Sequence, residues 1–145
     1  MGFDLYREHE SIDGETPVSD YFRWNIWGFP PIRFLAELYG WIPAGTIVQI
    51  EGEEEEECGY DSNDGQTVSN EDAQNWAKAL KEAIKDLKPT SESWNSSIDD
   101  EFWVQRKLIW KQDAEAIRGW FNTKDDIEYI QQYITFLEGG SFIIC

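Results

Sequence analysis

The stretch Asp61-Ser62-Asn63-Asp64-Gly65, followed at Glu71 by a further carboxylate, carries the residue types of a cation loop. Calcium takes oxygen ligands at alternating positions of a loop that turns on an invariant glycine and ends in a bidentate glutamate. With Gly65 as that glycine, Asp64 and Glu71 fall correctly, but Tyr60 and Ser62 stand where the first two acidic ligands belong. Starting the loop at Asp61 gains Asn63 and moves the glycine out of register. No frame supplies the full set. The expectation is therefore a turn, tight at Asp64-Gly65, with Ser69 capping a helix behind it. No metal and no cofactor are expected; Asp61, Asn63, Asp64 and Glu71 are the only candidate ligands.

Other chemistries find less support. His9 is the single histidine and sits between Glu8 and Glu10, which leaves no second imidazole and no identifiable nucleophile partner. Cys58 and Cys145 make no CxxC or zinc spacing, so both are expected as free thiols in a reducing compartment, with Cys145 packing or anchoring the chain end. No phosphate loop, dinucleotide fingerprint, HExxH or GxSxG is present. Carboxylates are so abundant that their pairing is not diagnostic of acid–base catalysis. No catalytic residue is assigned.

Charge is more informative. The formal net charge is −17, and it is unevenly spread: residues 1–72 carry 17 Asp/Glu against Arg7, Arg23 and Arg33 only, a balance of −14. The densest part is the run Glu53, Glu54, Glu55, Glu56 and Glu57, expected in an exposed loop that continues through Gly59 to Gly65. A field of this sign repels nucleic-acid phosphates and anionic membranes and attracts a basic protein. Direct nucleic-acid binding is not expected, and the five glutamates are the candidate partner-binding residues. No apolar stretch approaches the roughly 20 residues that span a bilayer, and Tyr6 stands where a myristoylation signal needs Ser or Thr. A cytoplasmic protein is expected.

The elements that must position these residues follow from periodicity. Phe3 and Leu5 alternate with Asp4 as a short edge or first strand, and Glu10 to Ser19 reads as a loop. Pro31 suits the first turn of a helix whose apolar face is Ile32, Leu35, Ala36, Leu38 and Tyr39, stopped by Gly40. Trp41 to Ile50 holds a β-branched run. Trp76, Leu80, Ala83, Ile84 and Leu87 define one face of a helix that starts at Ser69, with Asp72 near a capping-box position, and ends at Pro89. Thr90 to Ser97 is linker-like, and Asp99 to Trp120 has an ambiguous period. Asp125 to Glu138 is helical with Ile127, Ile130, Ile134 and Leu137 inward, and Phe142 to Cys145 is a short last strand.

Four segments in the same order resemble a family of small bacterial and phage proteins with no assigned activity: MGFDLY, YFRWNIWGFPPIRFL, NDGQTVSNEDA and FLEGGSFIIC. Pro30 stands where that pattern carries an arginine, and the acidic insert from Glu51 to Glu57 lies outside the pattern. The resemblance spans the whole chain and implies an intact fold in a cytoplasmic prokaryotic or phage setting, without a mechanism.

The 22 aromatic residues, eight of them Trp, argue for a folded core despite the acidity. The expected fold is α+β: one domain over residues 1–145, with at least three helices around an aromatic-rich core and a small sheet. Two functions stay open. One is a non-catalytic interaction module or inhibitor that binds a basic partner, in the manner of an immunity protein, a nucleic-acid mimic or a phage antagonist of host defence. The other is a small enzyme or ligand-binding domain with a pocket between the aromatic segment 21–29 and Asn63/Asp64.

Overall fold

Strand β1 (Gly2–Tyr6) turns its apolar residues Phe3 and Leu5 to one face and Asp4 and Tyr6 to the other, the period-two pattern of a sheet covered on one side. In a computed structural model describing residues 2–7, 21–48, 56–61, 65–89 and 107–145, this strand is followed by β2 (Tyr21–Asn25), α1 (Phe29–Leu38), β3 (Thr46–Val48), β4 (Glu56–Cys58) and β5 (Gln66–Val68). Then come α2 (Asn70–Asp86), a helical stretch at 107–110, α3 (Ala114–Trp120), α4 (Lys124–Glu138) and β6 (Phe142–Ile144). The result is an α+β single domain.

The main sheet is antiparallel in the order β2-β1-β6-β5, and β3 and β4 form a separate two-stranded sheet. Leu5 pairs with Phe22 and Phe3 with Trp24, so the inward face of β1–β2 is apolar. On the outward face Asp4 lies opposite Arg23; it accepts a 2.6 Å hydrogen bond from Tyr21 Oη and a 3.5 Å ion pair from Arg23. That ion pair is exposed and is worth at most about 1 kcal/mol.

Helices α2 and α4 cover the inward face. Trp76 of α2 and Tyr133 and Phe136 of α4 meet Phe22, Trp24 and Phe142 from the strands, with ring centroids 5.1–6.5 Å apart. Several of these pairs are edge-to-face, the arrangement the ring quadrupole favours. Local signals fix the helix starts. Ser69 accepts from Asp72 N, Asp113 from Ala116 N, and Thr123 with Asp126 forms a reciprocal capping box. Gly28 has no capping side chain; Asn25 Oδ1 instead accepts from Trp27 N and Gly28 N, turning β2 directly into α1.

Arg7, just past β1, is buried. Its guanidinium lies 4.3 Å from the Phe136 ring centre and donates to Phe136 O and, at 3.3 Å, to Gly140 O. It thereby satisfies carbonyls at the negative end of α4. The approach is close enough that a Cβ on Gly139 would sit 2.6 Å from Arg7 Cζ, so any larger residue there would push the guanidinium aside.

Several expectations need correction. β1 is the first strand, one of its two expected places, but not an edge, because β6 pairs with its second side. Leu38 is exposed and Phe34 takes its place in the core, since α1 rotates its stripe toward α2 and α3. Ile84 and Ile127 are only half-buried. The described part of the ambiguous segment, 107–110 and α3, is helical. Glu56 and Glu57 are not in a loop: they pair with Val48 and Ile47 as strand β4. The Cys145 side chain is exposed and free; only the backbone anchors the chain end, through Cys145 N to Asp4 O at 2.7 Å and Asp4 N to Cys145 O at 3.0 Å. His9, the Glu10–Ser19 and Thr90–Ser97 segments, Glu53, Glu54, Glu55, Asn63 and Asp64 lie outside the described residues.

Candidate functional site

A cleft of about 200 Å³ opens between α1, the segment after it and the residues that follow β4, lined by Arg33, Trp41, Pro43, Gly45, Gly59, Tyr60 and Asp61. Gly45 and Gly59, the residues just before β3 and just after β4, lie on the cleft's lining.

The aromatic wall is fixed from behind. Trp41 lies nearly parallel to Trp76 at 4.3 Å between centroids, and Tyr60 lies parallel to both at 6.2 and 6.4 Å. The carboxylate of Asp72, in the first turn of α2 and 3% exposed, locks this stack. It accepts from Trp41 Nε1 at 3.1 Å, from Ala44 N at 3.1 Å and from Tyr60 Oη at 2.6 Å. A buried carboxylate is tolerable only with such a donor set, and the positive end of α2 adds to it. Gln66, wholly buried on β5, donates to Gly59 O at 3.0 Å and holds the other rim.

Arg33 is the cation of the cleft's lining. Its guanidinium rests 5.6 and 5.4 Å from the ring centres of Phe29 and Phe34, and its buried Nε has no hydrogen-bond partner among the described residues. Burial pushes the guanidinium below its ordinary pKa, opposed by the charges of Glu37 and Asp61. Glu37, one turn along α1, is pushed up by its own burial, against the pull of Arg33. Tyr133 is raised well above the ordinary phenol by complete burial, and its hydroxyl likewise has no partner among the described residues.

The candidate residues read from the sequence fare unevenly. Asp61 is exposed and lines the cleft, while Glu71 is exposed on the first turn of α2. Neither belongs to a cluster of three or more metal-ligand side chains among the described residues. Gly65 has φ +84°, as a glycine at the tight point of a turn should, and its N–H bonds to Ile144 O at 2.8 Å. The aromatic segment is core on one face: Trp24 is 5% exposed, and no residue of 21–29 lines the cleft. This cleft is walled by Trp41 and Tyr60 rather than by Trp24 or Trp27; Asn63 and Asp64 lie outside the described residues. Asp72 and Arg33 were missed as site residues. The signal available for Arg33 was scarcity, since it is one of only three bases in the first 72 residues.

No helix of the described residues is long and apolar enough to cross a membrane. No protein-family model matches the chain, and neither curated proteins nor solved structures provide a match.

Proposed function

We propose that this protein is a non-catalytic interaction module or inhibitor that binds a basic protein through its acidic N-terminal half, in a bacterial or phage-infected cytoplasm. The observation that carries the reading is the setting of the glutamate run. Glu56 and Glu57 lie on β4 in register with Val48 and Ile47, and Glu53, Glu54 and Glu55 belong to the connection between the two strands. Pairing with β3 fixes the backbone of Glu56 and Glu57, two of the five glutamates, in a strand. The balance of −14 over residues 1–72 also exceeds the net magnitude of roughly 2–8 that solubility asks of a small domain. Charge of this density accelerates encounter with a basic surface and is screened over about 8–10 Å in physiological salt. Immunity proteins, nucleic-acid mimics and phage antagonists of host defence use such surfaces.

Affinity capture from lysate at low and moderate salt tests this. A basic partner should be retained at the first and released at the second, and the variant with Glu53 to Glu57 all changed to Gln should retain less and lose its salt dependence. Equal capture by both proteins across salt concentrations would remove the run from the binding surface.

A further inference from the structure

The charged groups of the cleft oppose each other without meeting. Arg33 and Asp61 both line it and interact electrostatically, yet they form no ion pair among the described residues. Arg33 is held there by α1, which packs against α2 and α3, with its guanidinium against two phenylalanine rings and its Nε unpaired. A partly desolvated cation is costly by itself; the charge of Glu37, one turn along α1, offsets part of that cost, and a carboxylate that reaches the guanidinium from the cleft offsets more. A simple anion would meet the Asp61 carboxylate and the strongly negative molecule around it. A simple cation would meet Arg33. A ligand carrying both signs a few atoms apart satisfies both groups. The other side chains that line the cleft are Trp41, Pro43 and Tyr60.

Size narrows the class further. An apolar cavity of about 150 Å³ accepts benzene, so about 200 Å³ admits a ligand slightly larger than one aromatic ring. We propose that the cleft is a binding site for a small zwitterion of the amino-acid class, its carboxylate on Arg33, its ammonium on Asp61 and its side chain against Trp41, Pro43 and Tyr60. The site is independent of the glutamate run, so it stands whether or not that run binds a protein.

The test is calorimetric titration of the full chain, with amide chemical shifts recorded in parallel, using L-serine, L-proline and L-valine as probes. Acetate and methylammonium serve as the two half-ligands. At least one amino acid should saturate below about 10 mM, tenfold above a Kd of ~1 mM, and shift the amides of Trp41 and Tyr60. Each half-ligand should bind at least about tenfold more weakly, because it leaves one charge unmet. Arg33→Gln should abolish saturation. Arg33→Lys, which keeps the charge and loses the planar fork, should weaken it. Asp61→Asn, at an exposed position where folding is not at stake, should weaken binding of the amino acid and leave acetate unchanged or improved. No saturation by any of the three amino acids overturns the proposal. Acetate binding as tightly as the amino acid, or Asp61→Asn binding it equally well, overturns it too.

Discussion

Replacing Asp72 with alanine is expected to lower the stability of the fold by about 3–5 kcal/mol, the range for removing a buried, hydrogen-bonded charge that several donors depend on. The carboxylate is the acceptor for Trp41 Nε1, Ala44 N and Tyr60 Oη. Alanine strands Trp41 Nε1 in a buried place, at about 1–3 kcal/mol for the unmet group before relaxation. It leaves Tyr60 Oη with only the longer bond to Gly45 O at 3.3 Å, returns Ala44 N, on an exposed residue, to water, and opens a void in the first turn of α2. Asparagine keeps one acceptor oxygen but turns an amide N–H₂ toward donors, so Asp72→Asn should cost less than alanine and still be clearly destabilising. Urea unfolding followed by tryptophan fluorescence reads both. A midpoint unchanged by Asp72→Ala would mean that the carboxylate faces water and that the cleft wall is held by something else.

Trp76→Ala should be as severe. The side chain is wholly buried, and its ring lies within 4.3–6.5 Å of the ring centroids of Phe29, Trp41, Tyr60, Tyr133 and Phe142. Removing it opens a large cavity at the junction of helices, sheet and cleft wall, at about 3–5 kcal/mol. The indole N–H has no hydrogen-bond partner among the described residues, so part of the native side chain is itself unfavourable where it sits. Trp76→Phe removes that donor with less volume and should cost under about half as much as alanine. The urea midpoint should fall in both variants while the slope stays constant. A Trp76→Phe variant as unstable as Trp76→Ala would show that the indole N–H is satisfied after all.

The helices were legible because their signals are local. Ser69 and Pro89 bracket α2, and Trp76, Leu80 and Ala83 recur at its period. The same holds for Ile130, Ile134 and Leu137 of α4. What stayed hidden depended on residues distant in sequence. Asp72 reads as an ordinary first-turn acid until Trp41 and Tyr60 arrive from other segments and bury it. Arg7 reads as a solvated base until Phe136 and Gly140, from the far end of the chain, close over it. Glutamate has low strand propensity, and pairing with Ile47 and Val48 overrides it at Glu56 and Glu57. The cleft draws on three separate segments, and periodicity carries no trace of it.

The sheet order has a consequence for how the molecule assembles. β6 lies between β1 and β5, so the strand from the end of the sequence fills a gap whose walls come from its beginning and middle. The β1–β2 hairpin and the helices close short loops and can form quickly; the insertion of β6 closes nearly the longest loop the sequence allows. Pulse-labelled amide exchange during refolding should therefore protect α2 and α4 before Phe142–Ile144. Until that insertion, β1 and β5 each present an open row of backbone donors and acceptors, the template on which chains pair with one another. In such a topology the race between a strand of the same chain and one from a neighbour is decided by the slowest closure in the fold, and the dense like charge on each molecule keeps the neighbours away while it runs.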